Sequence, residues 1–347
     1  MNHFIRIAIF AFVFTTVCIL SSCHIPGSAS GKSGRKADTI VVAYGKPLIN
    51  NDFHSENIPS PSNPEMLPAW MFNFSETSKG FPVFGISDPL AEEDLAMNLA
   101  RYRALAIAAL LCNSKVDNVT EAYYRDLSRN RLITTQFNSL SKISAGIGLR
   151  PESLQIENET TNKSGEKIIQ LFYKDSKTPA TDSLLVEAEV YYSETPMTTG
   201  DRIYTYFKIS AFRKTQGRAR EEMFVWESHL DNGRLEFVSV AGGEKIEFPV
   251  RYRYYSSPGG SVCRSEPDPD FFMQEDMGYG LWNAYAITIL RSIDLLEKKF
   301  VDIKAITDHY AGQAELLSRE ISSNNSSFRI ESACTLNNRL YLRLRQL

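Results

Sequence analysis

The sequence predicts an α+β protein in which an antiparallel β-sheet meander carries two long helices packed on one of its faces. Helical spacing of apolar residues occurs in two stretches, 88–111 and 282–300, and the residues from about 152 to 255 alternate like antiparallel strands. The order is therefore one strand, a helix, many strands, a helix and two strands. Such an order favours helices grouped on one face of an antiparallel sheet.

The chain begins with a segment typical of exported proteins. Arg6 precedes an uncharged apolar run over residues 7–20, which is shorter than the roughly 20 apolar residues of a membrane-spanning helix. The run closes on LSSC, which looks like a bacterial lipobox. That likeness implies cleavage before Cys23, a diacylglyceryl thioether on its sulfur and acylation of the new N-terminus, so that several acyl chains anchor the protein to the membrane. The alternatives are an ordinary secretory signal and an uncleaved helix.

The predicted organisation has three parts. Residues 1–22 form a lipoprotein signal peptide, residues 23–67 hold the lipidated cysteine, a tether and a proline-rich linker, and residues 68–347 form an α+β envelope domain. The tether is too poor in apolar residues to pack a core. Within the second part, TIVVAYG at 39–45 is a β-branched run suited to a sheet. The tether carries no acid before Asp38, which favours a periplasm-facing protein over a surface-exported one.

Charge and cysteine content limit the partners. Of the 38 basic residues only Arg6 lies in the signal peptide, so 37 remain against 41 acidic residues. We expect no nucleic-acid partner, because such binding needs clustered positive charge. Cys112, Cys263 and Cys334 remain in the mature chain. Their odd number allows one disulfide and requires none, and their spacing does not match a zinc site.

The first long helix has a well-marked start in DPLAEED. Asp88 suits the N-cap, Pro89 suits the first helical position, and the acids that follow complement the positive end of the helix dipole. Alanines then recur every four residues at Ala96, Ala100, Ala104 and Ala108. This row predicts a helix backbone that lies close against a sheet.

The central region predicts a meander of up to six strands. The segments are 167–174, 184–193, 202–212, 223–230, 234–241 and 245–255. Turn residues occur at NKSG (162–165), DNG (231–233) and GGE (242–244), which suit hairpins.

The second long helix has an apolar face from Trp282 to Phe300, and helical signal continues with breaks to about Ser322. The chain then ends in a strand, an Asn337–Asn338 turn and a last strand. Each helix follows a glycine-bearing, aromatic-rich approach, FPVFGISDP and FFMQEDMGYG. This weak internal similarity does not by itself establish a duplication.

The first helix and its approach carry a family-like pattern. Its residues are Pro68, Trp70, Gly85, Ser87, Ala96, Ala100, Arg103, Ala104, Leu105 and Ala108. With the lipobox before them, they resemble the lipoprotein-20-like family of bacterial outer-membrane lipoproteins, and the final NNRLYLRLRQL is similar to the family's closing strand. The likeness covers 66–112 and the last twenty residues, and the longer central region departs from it. It implies an outer-membrane accessory or structural lipoprotein, in some members part of motility-associated rings, with no catalytic residues to carry over.

Two loops carry residues of chemical interest. Glu266, Asp268 and Asp270 alternate in EPDPD, as oxygen ligands of calcium do, but the loop lacks the glycine turn and the distal Glu of a calcium loop. We interpret it as a solvated turn. Ser261 and Cys263 offer nucleophiles in GGSVC, but no strand–turn–helix context or neighbouring histidine activates them. We therefore expect no catalytic residue there.

The histidines and one tyrosine-rich segment complete the candidates. His54, His229 and His309 show neither helical pairing nor companion cysteines, so we expect no metal. RYRYY at 251–255 is either a stripe facing a glycan or polyanion, or an amphipathic strand with a tyrosine core face, which is the commoner arrangement. No cofactor is expected.

Two functional hypotheses follow. The first is a lipid-anchored outer-membrane protein, attached through Cys23, with a structural or accessory role through an envelope protein partner or self-assembly. The second is a periplasmic binding module or hydrolase for envelope glycans or peptides, with a pocket between the sheet and the second helix. A flat or fully packed sheet favours the first, and a cleft lined by convergent carboxylates or aromatics favours the second.

Overall fold

The structure is a computed structural model that describes residues 64–128, 131–151, 155–174, 180–195, 202–231, 234–246, 252–300, 306–311, 314–323 and 325–347. The signal peptide, Cys23, the tether and the strand predicted at 39–45 lie outside these residues. The described residues are mostly β, with 54% strand and 20% helix.

The described residues contain seventeen strands and two α-helices. In chain order the strands are β1 (Glu65–Met66), β2 (Phe81–Ile86), β3 (Ser114–Ser128), β4 (Arg131–Leu149), β5 (Ile156–Thr161), β6 (Lys167–Tyr173), β7 (Asp182–Thr195), β8 (Arg202–Thr215), β9 (Glu221–Asp231), β10 (Arg234–Ala241), β11 (Glu244–Ile246), β12 (Tyr255–Ser256), β13 (Met273–Asp276), β14 (Ile306–Ala311), β15 (Ala314–Ser322), β16 (Phe328–Leu336) and β17 (Arg339–Gln346). The α-helices are α1 (Glu93–Cys112) and α2 (Leu281–Phe300), and short 3-10 helices cover Ala69–Phe72 and Gly259–Ser261.

One large antiparallel sheet dominates the fold. Its nine strands follow the order β11-β10-β9-β8-β7-β4-β3-β15-β14. Along β3 the side chains from Ser114 to Thr120 alternate strictly between buried and exposed. Successive side chains of a strand point to opposite faces, so the sheet has an inner face in the core and an outer face in solvent.

Two smaller sheets reveal an internal repeat. Each contains three strands, in the orders β2-β6-β5 and β13-β17-β16. Each small sheet therefore belongs to a unit with the same chain order. The unit consists of a strand, a long helix, a hairpin whose strands join the large sheet, and a second hairpin whose last strand pairs with the first strand of the unit. The elements from β2 to β6 and those from β13 to β17 thus form two repeats. This repeat explains why the sequences that precede the two helices are weakly similar. Strands β7 to β12 are inserted between the repeats.

Both helices lie between sheets. Helix α1 packs against β2 and β6 of a small sheet and against β4 and β7 of the large one, while α2 packs against β13 and β17 and against β7. Every residue from Ala104 to Leu111 is fully buried, which requires neighbours on all sides of the helix. By length and composition α1 could also cross a membrane, but 67% of its apolar window is buried inside the protein, as in a core helix.

The predicted α+β class, with one meander sheet and two long helices on a single face, is therefore wrong. The described chain is mostly β and forms several sheets, and its helices are enclosed between them. The predicted strands of the central region exist, but the segment at 167–174 becomes β6 of a small sheet. Around the segment predicted at 245–255, the described residues form strand at Glu244–Ile246 and at Tyr255–Ser256 but not at 252–254.

Two hairpins were absent from the prediction. The pair β3–β4 was not predicted, and β14–β15 occupies residues where the sequence favours helix as far as Ser322. The inner face of β3–β4 explains the first omission, because it carries polar residues where apolar alternation is expected. Asn118 and Ser141 are buried there, and Asn118 Nδ2 donates to Ser141 Oγ at 2.6 Å.

The alanine row of α1 is confirmed as a close-packing surface. A Cβ atom placed on Gly85 of β2 would lie 1.7 Å from the carbonyl oxygen of Ala100 and 2.8 Å from the backbone nitrogen of Ala104. The predicted start of this helix is wrong, since its N-cap is Glu92. Asp88 instead forms a buried ion pair with Arg103, at 2.9 Å.

The start of α2 depends on the first repeat. Glu166, which follows the β5–β6 turn, is buried and accepts hydrogen bonds from the hydroxyl of Tyr255 at 2.8 Å and from the backbone N–H of Leu281 at 3.4 Å. A carboxylate at this end of a helix stabilises its dipole. Burial, and next the charge of Glu166, raise the pKa of Tyr255. This contact ties the two repeats together.

Candidate functional site

The outer face of the large sheet carries a continuous row of apolar and aromatic side chains. Cross-strand register places its members side by side on β3, β4, β7, β8 and β9. They are Val119, Leu140, Tyr191, Tyr206 and His229, and we call this row the tyrosine stripe. Val119 is 39% exposed, and the other four members are partly exposed.

Ring contacts order the centre of the tyrosine stripe. The Tyr206 and His229 rings lie 4.7 Å apart between centroids, and Tyr204, one row away, lies 5.8 Å from Tyr191. The hydroxyl of Tyr204 is 3.2 Å from His229 Nδ1, and His229 Nε2 is 3.3 Å from Glu227 Oε2. The imidazole is therefore held between a phenol and a carboxylate, and the aromatic surface has fixed polar edges.

A row of alternating charge runs beside the stripe. Register pairs its members across the same five strands, in the order Asp117, Lys142, Glu189, Lys208 and Glu227, and we call it the charge row. Lys208 and Glu227 form an ion pair at 3.2 Å, with side chains 32% and 22% exposed. Opposite charges directly across a sheet stabilise the pairing of its strands, so the charge row also favours the register that aligns the stripe.

The electrostatic setting of the stripe affects its phenols. Burial raises the pKa of Tyr206, and the carboxylates of Glu227 and Glu189 raise it further. Burial also raises the pKa of Tyr204, with a contribution from Asp231. The phenols remain protonated hydrogen-bond donors over the physiological range, which suits recognition of another molecule and does not suit nucleophilic chemistry.

The inner face is packed where it meets the helices. Trp226 of β9 is buried, and its Nε1 donates to Asn283 Oδ1 of α2 at 2.7 Å. Farther along α2, Ser141 of β4 donates to Asp294. Arg291, between these two, has its guanidinium 5.0 Å from the centroid of the Phe207 ring. Contacts of this kind leave the sheet and α2 directly apposed from β9 to β4.

Two cysteines in the C-terminal part of the chain form a disulfide. Cys263 and Cys334 are bonded, with Cα atoms 5.2 Å apart, and Cys112 lies outside the bond. The sequence allowed one disulfide or none among Cys112, Cys263 and Cys334, and the structure contains one, between Cys263 and Cys334. It also removes Cys263 as a nucleophile beside Ser261.

The acidic loop is a structured turn. Asp268 Oδ1 accepts from the backbone N–H of Asp270 at 2.9 Å, and the carbonyl of Asp268 accepts from Phe271 and Phe272 at 3.1 and 3.0 Å. Across the described part of the chain, no group of three or more His, Cys, Asp or Glu residues is arranged to hold a metal ion.

The remaining sequence candidates have separate locations. Of the histidines, His229 belongs to the tyrosine stripe, His54 lies outside the described residues, and only the backbone of His309 is described. In the RYRYY segment, the rings of Tyr252 and Tyr254 lie 5.1 Å apart in an edge-to-face contact. Cys23, the lipidation candidate, lies outside the described residues.

The tyrosine stripe was not predicted from the sequence. Tyr204 and Tyr206 share one face of a strand by alternation, and that signal was available. Which side chains of five different strands stand side by side depends on register, and register is a property of the folded sheet.

Comparison with protein-family models, with curated proteins and with solved structures finds no match to this chain. The resemblance to the lipoprotein-20-like family stays a prediction.

Proposed function

We propose that this protein is a lipid-anchored lipoprotein of the bacterial outer membrane, facing the periplasm, with a structural or accessory role through contacts with envelope proteins. The observation that carries the proposal is the tyrosine stripe. Tyrosine is enriched in protein–protein interfaces, and apolar patches on a soluble surface commonly mark interaction sites. The stripe crosses five hydrogen-bonded strands of one sheet, so its side chains are already aligned before a partner binds.

The proposed compartment is supported by two independent features. The lipobox at Cys23 follows an apolar segment of the length and charge typical of a signal peptide. The Cys263–Cys334 disulfide suits an oxidising environment such as the bacterial periplasm.

The alternative function, a periplasmic binding module or hydrolase with a pocket between the sheet and the second helix, has less support. Helix α2 makes direct side-chain contacts with the sheet through Asn283 and Asp294. The nucleophile candidate Cys263 is consumed in the disulfide. Capture of a glycan instead of a protein at the outer face would favour this alternative.

In-cell chemical cross-linking of the tagged full-length lipoprotein tests the proposal. After detergent extraction, the size of the cross-linked species is compared between the wild type and the Tyr191→Ser/Tyr206→Ser variant. We expect a discrete species larger than the monomer that is strongly reduced in the variant. Ser183→Ala is the matched control, since Ser183 is on the same face of β7 as Tyr191, eight residues away. A monomer in every sample, or a species unaffected by the double variant, would contradict a protein contact at the stripe.

A further inference from the structure

The dimensions of the outer face match those of an α-helix. Five neighbouring strands at about 4.8 Å spacing make the tyrosine stripe about 19 Å long from Val119 to His229. A helix rises about 1.5 Å per residue, so about 13 residues, or three and a half turns, cover this length. A groove for an extended chain would instead run along a strand, whereas the stripe runs across the strands.

The charge row has a spacing that a helix can match. Neighbouring charges of opposite sign are about 4.8 Å apart, and charges of the same sign are about 9.6 Å apart. On one side of a helix, residues i and i+3 differ by about 4.5 Å in rise, and residues i and i+7 by about 10.5 Å. A helix with alternating basic and acidic residues at these positions can therefore oppose Asp117, Lys142, Glu189, Lys208 and Glu227 in turn.

The sheet already accepts a helix that crosses its strands. On the inner face, Asn283 of α2 contacts Trp226 on β9, and Asp294 contacts Ser141 on β4. Eleven residues of helix span about 16 Å, which is close to the roughly 14 Å from β9 to β4. Helix α2 therefore crosses these strands on the inner face. The tyrosine stripe and the charge row cross the same strands on the outer face.

We propose that the tyrosine stripe and the charge row together dock an amphipathic helix of a partner protein, laid across β3, β4, β7, β8 and β9. The apolar face of that helix covers the tyrosine stripe, and its flank of alternating Lys and Glu residues meets the charge row. Both α-helices within the described residues are enclosed between sheets, so they cannot supply this helix without unfolding. The proposal rests on the proposed function, whose partner class it narrows.

Site-specific photo-cross-linking of the full-length lipoprotein in cells tests this inference. Tyr206→p-benzoylphenylalanine places the photoreactive group in the stripe, and Ser183→p-benzoylphenylalanine is the control on the same face. Cross-linked peptides are then identified by mass spectrometry. We expect the stripe position to capture a segment of another protein with an apolar face and alternating charges at helical spacing, and the control position not to capture it.

A charge-swapped variant makes the test specific. Lys208→Glu combined with Glu227→Lys keeps an opposite-charge pair at these two positions and the net charge of the protein, but it places an acidic residue at position 208 directly opposite Glu189 and so breaks the alternation that the partner meets. We expect at least a tenfold loss of the cross-linked product while the protein stays folded, with a melting temperature lowered by no more than a few degrees, because position 208 then faces the like charge of Glu189. A helical segment captured equally by both proteins would overturn the role of the charge row.

The other outcomes separate this inference from the proposed function. Capture of a protein through a strand or loop segment overturns the docked helix and leaves the proposed protein contact in place. Capture of a second copy of this chain has the same consequence. Capture of a glycan, or of nothing, at the stripe position overturns both.

Discussion

Arg103 and Asp88 form an ion pair at 2.9 Å inside the protein, with side chains 0% and 4% exposed. The same guanidinium donates to the Ile86 carbonyl at 2.7 Å and to Ser239 Oγ at 3.1 Å, and it lies 4.8 Å from the ring centroid of Trp282. The pair therefore connects both repeats with the inserted strands. Burial lowers the pKa of Arg103, and the neighbouring Asp88 opposes this shift.

Loss of this cation should be strongly destabilising. Arg103→Met leaves the carboxylate of Asp88 buried without its partner, which typically costs about 3–5 kcal/mol. Denaturant unfolding followed by tryptophan fluorescence measures the change. Arg234→Met is the control, because Arg234 pairs with Glu236 on the surface with its side chain 82% exposed, and such pairs are worth about 1 kcal/mol or less. Equal effects of the two variants would contradict a structural role for the buried pair.

The disulfide should stabilise the second repeat. It closes a 71-residue separation that includes β13, α2, β14 and β15, and loops of that size correspond to about 4 kcal/mol of stabilisation in the chain-entropy description. We expect Cys334→Ala to lower the melting temperature, and reductant to have no further effect on that variant. Cys112→Ala should retain the response of the wild type to reductant. Unchanged melting of Cys334→Ala would contradict the bond.

The contact between Gly85 and α1 leaves no room for a side chain. Gly85→Ala puts a methyl group within 1.7 Å of the carbonyl oxygen of Ala100, so the helix must move away from β2. We expect a loss of about 3 kcal/mol or more in the free energy of unfolding, as overpacking of a core gives. Gly260→Ala should change it by less than about 0.5 kcal/mol, because nothing lies within 4 Å of its Cβ position. Similar results for the two glycines would rule out the close approach.

The raised pKa of Tyr206 predicts a specific response to alkaline pH. Unfolded tyrosine ionises near pH 10, while Tyr206 in the folded protein keeps its proton to higher pH because of burial and then the carboxylates of Glu227 and Glu189. Its contribution to stability is thus complete below about pH 10 and is lost as the pH rises through the folded pKa. Carbon NMR of labelled tyrosine, assigned with Tyr206→Phe, measures the titration. Glu227→Gln should lower this pKa more than Glu189→Gln, and the opposite order would contradict the arrangement of the carboxylates.

The lipid anchor has a direct test at the terminus. Cys23→Ala should leave the domain folded and shift the protein from the membrane fraction to the soluble fraction, since the acyl chains supply the membrane affinity. Cys18→Ala, within the signal peptide, is the control and should remain in the membrane fraction. Membrane retention of Cys23→Ala after a salt wash would overturn the anchor.

Some local elements followed directly from the sequence. The helix from Leu281 has the expected apolar face, and the hairpin with its turn at Asn337–Asn338 is confirmed between β16 and β17. Both asparagines have positive φ, 50° and 60°, which asparagine tolerates better than most residues. Such features depend on neighbours within one or two turns of chain, so their patterns are visible in the sequence.

Other features were invisible because their partners are distant in the chain. Aspartate favours the N-cap position of a helix, but Asp88 is buried and accepts hydrogen bonds from Arg103 and Ser239 instead. A buried charge must be paired. In β3 and β4, the buried residues Asn118 and Ser141 lie on the inner face and are hydrogen-bonded to each other. Because these inner-face residues are polar, the sequence does not show the alternation of hydrophobic residues that predicts a strand. The helical signal beyond α2 was likewise overridden by pairing of β15 with β3.

By itself the sequence determined the approximate positions of the two long helices, most of the central strands and the Asn337–Asn338 turn, because these rest on local spacing and residue type, while the lipid-bearing Cys23 stays a prediction. Only the tertiary structure decided the mostly β class, the repeat, the disulfide partner and the tyrosine stripe. Each of these depends on strand order and register, and a one-residue shift in register would move every side chain of a strand to its other face.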